Sequence, residues 1–171
     1  MKAISILLVS AALPLVACSG GNADPDPADL PYGTVQQMMA NEVQPTADTY
    51  WAAVKFESEL MDDGTVEERD IRPETDADWE KTRAAAAHLG ELGKALGSPA
   101  YSQGRGEDWT AFANGLVEVS ALAEKAAVDK DPDAVFEVGG NVYNVCKACH
   151  QMYPPAEGVE GEGGAMETPA G

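Results

Sequence analysis

The chain has 171 residues, 44% of them hydrophobic, and a formal charge of −18. This length suits one domain with an ordinary core. The acidic balance disfavours nucleic acid, whose phosphates carry the same sign.

Met1 to Ala17 reads as an export signal. Lys2 supplies the positive start, and Ile4 to Val16 is a short apolar run. The run is too short and too early to be a spanning helix of the mature protein. It ends in Leu15-Val16-Ala17-Cys18, which resembles the bacterial lipobox. Small residues before a cysteine allow cleavage there, and the thiol of Cys18 would carry the diacylglyceryl group. The alternative is an ordinary cleavable signal whose boundary happens to hold a cysteine. Acyl chains contribute about 0.8 kcal/mol per buried methylene, so a multiply acylated terminus stays on the membrane. No acidic residue directly follows Cys18, so the expected place is the periplasm, anchored to the outer rather than the inner membrane. Residues 18–31 are rich in Gly, Pro and Asp and read as a flexible acidic tether.

From about Thr34 to Leu60, apolar residues recur at Val35, Met39, Val43, Ala47, Tyr50 and Val54, which predicts a first helix. Pro45 should kink or divide it, because a mid-helix proline removes one hydrogen bond and collides with the carbonyl of Asn41. Met61 to Thr75 is acidic and polar, with Asp-Asp-Gly and Arg-Pro turn signals, and is expected to be a loop. A second helix should start near Thr75, which with Asp78 forms a capping-box-like start. Its stripe of Trp79, Ala86, Leu89, Gly93 and Leu96 is mostly small, which suits close approach by a neighbour. Gly97-Ser98-Pro99 ends it, and a long Gly-rich connection follows. A third helix spans about Asp108 to Val128, with Trp109, Phe112, Leu116, Val119 and Ala123 on one face. Asp131 and Pro132 open the fourth as N-cap and first helical residue. Val135, Val138, Val142 and Val145 lie along its face, and Pro154-Pro155 stops it. Gly139-Gly140 costs about 1 kcal/mol per residue against Ala, so a close backbone neighbour is expected there. Residues 154–171 form a Gly- and Glu-rich tail with no periodicity.

The chemistry concentrates in Cys146-Lys147-Ala148-Cys149-His150. This C-x-x-C-H string is the attachment signal for one covalent haem c. Cys146 and Cys149 would become thioethers, and His150 would bind the iron as proximal ligand. On a helix the three fall within an arc of roughly 100°. A zinc site would want a second Cys or His pair, and a thioredoxin-like dithiol a βαβ context without the histidine. With Cys18 given to lipid, no thiol is left for a disulfide.

Four amphipathic helices with C-x-x-C-H near the end of the last resemble the class II cytochromes c, the cytochrome c′ family. The resemblance covers about residues 32–153 and implies an all-α, antiparallel four-helix bundle with covalently bound haem c. It also implies a choice of distal ligand: a methionine from the first helix, or an apolar residue that leaves iron five-coordinate. Met39, on the stripe of Val35 and Val43, is the first candidate for the distal iron ligand. Met38 is the second, and a core-filling methionine is the bland alternative. The implied function is electron transfer by a membrane-tethered, periplasmic, mono-haem cytochrome with His/Met-ligated iron. The alternative is a five-coordinate haem protein that binds NO or CO. An enzyme is not expected, because a haem peroxidase would want a distal acid–base group. Expected partners are redox proteins with basic surfaces, the membrane through its lipid anchor, and a second copy. His88 is expected at the surface.

Overall fold

The computed structural model describes Ala28 and residues 30–155. The export signal, Cys18, most of the tether and most of the tail lie outside the described residues.

The first helix opens on a capping box. The Gln37 amide donates to Thr34 Oγ1 at 3.1 Å, and the Thr34 amide donates to Gln37 Oε1 at 2.9 Å. Helix α1 (Val35–Met38) continues through a π-helical turn (Met39–Val43) into α2 (Gln44–Trp51). The wider turn has a local cause. Pro45 has no N–H to give to Asn41, and its ring crowds that carbonyl. The amide of Gln44 reaches back five residues to the carbonyl of Met39 instead. One extra residue in a turn shifts the register of α1 against α2 by roughly 100°.

Two strands follow, β1 (Lys55–Leu60) and β2 (Val66–Ile71), paired antiparallel with Leu60 opposite Val66. Gly64 takes φ +82° at the turn, a conformation that glycine adopts without a Cβ clash. The carboxylate of Asp63 accepts from the amide and hydroxyl of Thr65, at 2.9 and 2.6 Å. The remaining helices are α3 (Asp76–Gly97), α4 (Pro99–Ser102), α5 (Glu107–Val128) and α6 (Pro132–Met152).

The all-α four-helix bundle is therefore corrected. With α1 and α2 counted as one continuous helix, the described residues form five helices and a two-stranded antiparallel sheet. The helix expected to reach Leu60 stops at Trp51, and 55–60 alternates as a strand. The stretch expected as a loop after Met61 contains β2. The Gly-rich connection holds the short α4.

Helices α3 and α5 approach closely at Gly93, where an added Cβ would lie 2.9 Å from Val117 Cγ2. One core cluster gathers Met38, Val43, Leu89, Leu92, Leu96, Trp109, Leu116 and Val142. A second gathers Tyr50, Val54, Ala86, Ala123 and Val135. Trp51 and Val138 pack against both.

Thr75 caps α3. Its hydroxyl accepts from the Asp78 amide at 3.2 Å, and the Asp78 carboxylate accepts from the Thr75 amide at 3.0 Å. Replacing Thr75 with Ala should lower stability by about 1 kcal/mol in urea unfolding. The hydrogen bonds from Thr75 hold the Asp78 carboxyl below its ordinary 3.8. Stability from a depressed carboxyl is complete above its unfolded pKa and lost as pH falls through the folded one. The Thr75→Ala difference should therefore shrink below pH 3.8.

Candidate functional site: an aromatic-walled cavity beside the last helix

A cavity of about 500 Å³ opens beside the C-terminal half of α6. Its floor is apolar: Val43 and Ala47 from α2 and its preceding turn, Leu96 from α3, and Ala113 and Leu116 from α5, all buried. Its mouth carries exposed side chains, among them Gln44, Lys147, His150 and Gln151.

Two aromatic groups frame it. Trp51 donates its indole N–H to the Gly139 carbonyl at 2.9 Å and meets Tyr143 edge-on, with centroids 6.3 Å apart. A Cβ at Gly139 would stand 3.3 Å from Trp51 Cδ1, so the close neighbour there is the Trp51 side chain and not the backbone expected. Gly140 has nothing within 4 Å of such a Cβ, and packing does not explain it. On the other wall Trp109 donates to the Leu96 carbonyl at 2.7 Å. Tyr153 packs edge-on against Trp109 and Phe112, at 5.1 and 6.4 Å. Its hydroxyl donates to the Arg105 carbonyl at 2.8 Å, and the Arg105 guanidinium lies 4.6 Å from the Trp109 ring centre. The sequence predicts only a long Gly-rich connection after α3. Its only local signal was a lone Arg and Tyr among glycines.

Met39, Cys146, Cys149 and His150 all line this cavity. Met38 does not: it is wholly buried in the core. Consecutive helical residues point about 100° apart, and here Met38 faces the core and Met39 the cavity. His88 is partly exposed on α3, with Nε2 at 3.3 Å from Glu42 Oε2, and takes no part in the lining. Both cavity cysteines are free thiols. Burial pushes both thiols up, and for Cys146 the neighbouring Cys149 adds to the effect. They stay protonated near neutral pH, which makes them poor nucleophiles and poor thiolate donors.

No family model, curated protein or solved structure matches the chain. The haem expectations are corrected on two findings. The fold is a mixed one with a sheet, not the four-helix bundle of a cytochrome c′. Among the described residues no group of three or more His, Cys, Asp or Glu gathers to hold a metal ion. The haem c cofactor, the His/Met-ligated electron carrier and the five-coordinate NO- or CO-binding protein are set aside accordingly. Among the described residues no helix is long and apolar enough to cross a membrane. Cys18 lies outside them.

Proposed function

We propose that this chain is an exported binding module, not an enzyme, that holds a small apolar ring system in the cavity beside α6. The observation that carries the reading is convergence. Four side chains that stand out in the sequence for their chemistry, from opposite ends of the chain, line one cavity of about 500 Å³. That size is ordinary for small-molecule sites, as is a largely apolar wall with a few polar groups. Trp51, Trp109, Phe112 and Tyr143 offer ring faces and edges to a flat occupant. Cys146 and Cys149 also line it, with His150 at the exposed mouth, and Met39 adds a polarisable thioether from the first helix. The lipobox-like string at Cys18 supports a membrane-tethered placement. Palmitate labelling that survives Cys18→Ser would remove that part.

A neutral probe such as phenylnaphthylamine tests the site. It should quench Trp51 and Trp109 fluorescence to a one-to-one end point and slow the alkylation of Cys146 and Cys149 by iodoacetamide. Binding that leaves alkylation untouched puts the site elsewhere and sinks the proposal.

The π-helical turn gives a sharper expectation. Pro45→Ala restores an amide hydrogen and relieves the clash that widens the turn. Met39 should then rotate away from the cavity. Probe affinity should drop severalfold, to the level of Met39→Ala, while the melting temperature holds or rises. Equal affinity for Pro45→Ala and the wild type would show that the turn does not aim Met39.

A further inference from the structure

The molecule is strongly acidic, with 29 Asp and Glu against 11 Lys and Arg. The cavity breaks that pattern. Its lining contains no Asp or Glu, and its polar members are Gln44, Tyr143, Lys147, His150, Gln151 and the two thiols. Lys147 stands apart in a second way. Among the described residues every other lysine and arginine except Lys81 has a hydrogen-bond or ion-pair partner. Lys55, Arg69, Arg72, Arg83, Lys94, Lys125 and Lys130 pair with carboxylates. Arg105 donates to the Tyr101 carbonyl and covers Trp109, and Lys81 makes no such bond but feels the Asp78 carboxylate on the same helix. No hydrogen bond or ion pair joins Lys147 to any described residue. An ammonium without a carboxylate, in a chain with so many carboxylates, sits at the mouth of a lining that excludes them.

We propose that the occupant is an anion: an apolar ring system bearing a carboxylate, sulfonate or similar group that Lys147 meets at the mouth. This rests on the cavity being the binding site, as proposed above, and adds the charge class of its ligand. The ring system goes inward against Leu96, Leu116 and Trp109, where a charge would lose its hydration. The anionic group stays at the exposed rim, where Gln44 and Gln151 can donate amide hydrogens to it. The long-range field of the protein opposes an anion. At physiological salt that field is screened beyond about 8 Å, so the charges beside the cavity decide.

The test compares two probes that share their rings. Anilinonaphthalene sulfonate carries an anionic group, and phenylnaphthylamine carries none. Both are titrated at 0.15 M salt, about the physiological strength, by tryptophan quenching and protection of Cys146 and Cys149. The sulfonate should bind about tenfold more tightly, the factor expected of one favourable charge contact at a partly exposed site. Lys147→Glu should abolish or reverse that preference, read as the ratio of the two affinities in the same variant, and Lys147→Arg should keep it. Circular dichroism of the variants, which change an exposed side chain, should match the wild type. If phenylnaphthylamine binds and protects the thiols but the sulfonate has no advantage, the anionic assignment is overturned and the binding module stands. A sulfonate preference that survives Lys147→Glu overturns it too. If neither probe protects the thiols, both readings fall.

Discussion

Replacing Trp109 with Ala should cost about 3–5 kcal/mol of folding stability and empty one wall of the cavity, the largest single-site loss expected in this chain. Several effects act together on this residue. The indole is buried, at 5% exposure, in the core cluster of Leu96, Ala113 and Leu116. Its N–H satisfies the Leu96 carbonyl at the last turn of α3, a group with no helical partner of its own. It also carries the Tyr153 ring that closes α6 and the Arg105 guanidinium that pins the connection after α4. Total stability of a domain this size is about 5–15 kcal/mol, so the loss is a large share of it. Urea midpoints measure the loss. Trp109→Phe separates two contributions, because it keeps most of the apolar area and deletes the hydrogen bond. It should recover more than half of the loss. If it is as damaging as Ala, the bond to Leu96 outweighs burial.

The sequence was most legible where local chemistry and periodicity agree. Thr75 with Asp78, and Asp131 followed by Pro132, mark the starts of α3 and α6 through side chains that satisfy free amides. Of the two predicted stripes, Ala86, Leu89, Gly93, Leu96, Trp109, Leu116, Val119 and Ala123 are buried in the structure, while Trp79 and Phe112 are partly exposed. The hairpin was illegible for a physical reason. Strand burial normally leaves a period of two, but Phe56, Leu60 and Val66 stay exposed, so the apolar pattern carried no inward face. Val54, the last buried residue before it, lies in the turn yet continues the helical spacing of Ala47 and Tyr50. Asp63-Gly64 did signal a turn, and a turn between two acidic stretches does not by itself declare strand pairing. The cavity was half legible. C-x-x-C-H drew attention to α6, and the stripe drew it to Met39. Trp51 against Gly139, and Tyr153 against Trp109, join residues far apart in sequence, and no local rule pairs them. Fold class and cofactor fail together, because the resemblance joins four amphipathic patterns to C-x-x-C-H, and neither signal registers the hairpin.

The second large effect separates two glycines one turn apart on α3. At Gly93 an added Cβ would stand 2.9 Å from Val117 Cγ2, 3.1 Å from the Ala113 carbonyl oxygen and 3.1 Å from the Val117 amide nitrogen. Two of these atoms are backbone, so a rotamer change cannot relieve the clash, and α3 must move off α5. At Gly90 the nearest atom is Ser120 Cβ at 3.5 Å, an ordinary contact. Helix propensity favours Ala over Gly by about 1 kcal/mol at either site. At Gly90 nothing opposes that gain, and Gly90→Ala should raise stability by up to about 1 kcal/mol. At Gly93 overpacking of about 1–3 kcal/mol outweighs it for Ala. For Val, with a poorer propensity and two more methyl groups, the net loss should reach about 3 kcal/mol. Separation of α3 from α5 would also move Leu96 against Ala113 and Leu116, which form the cavity floor. Gly93→Val should therefore weaken probe binding as well as stability, and Gly90→Ala should leave binding unchanged. Equal effects at the two positions would show that the close crossing at Gly93 does not set the spacing of these helices.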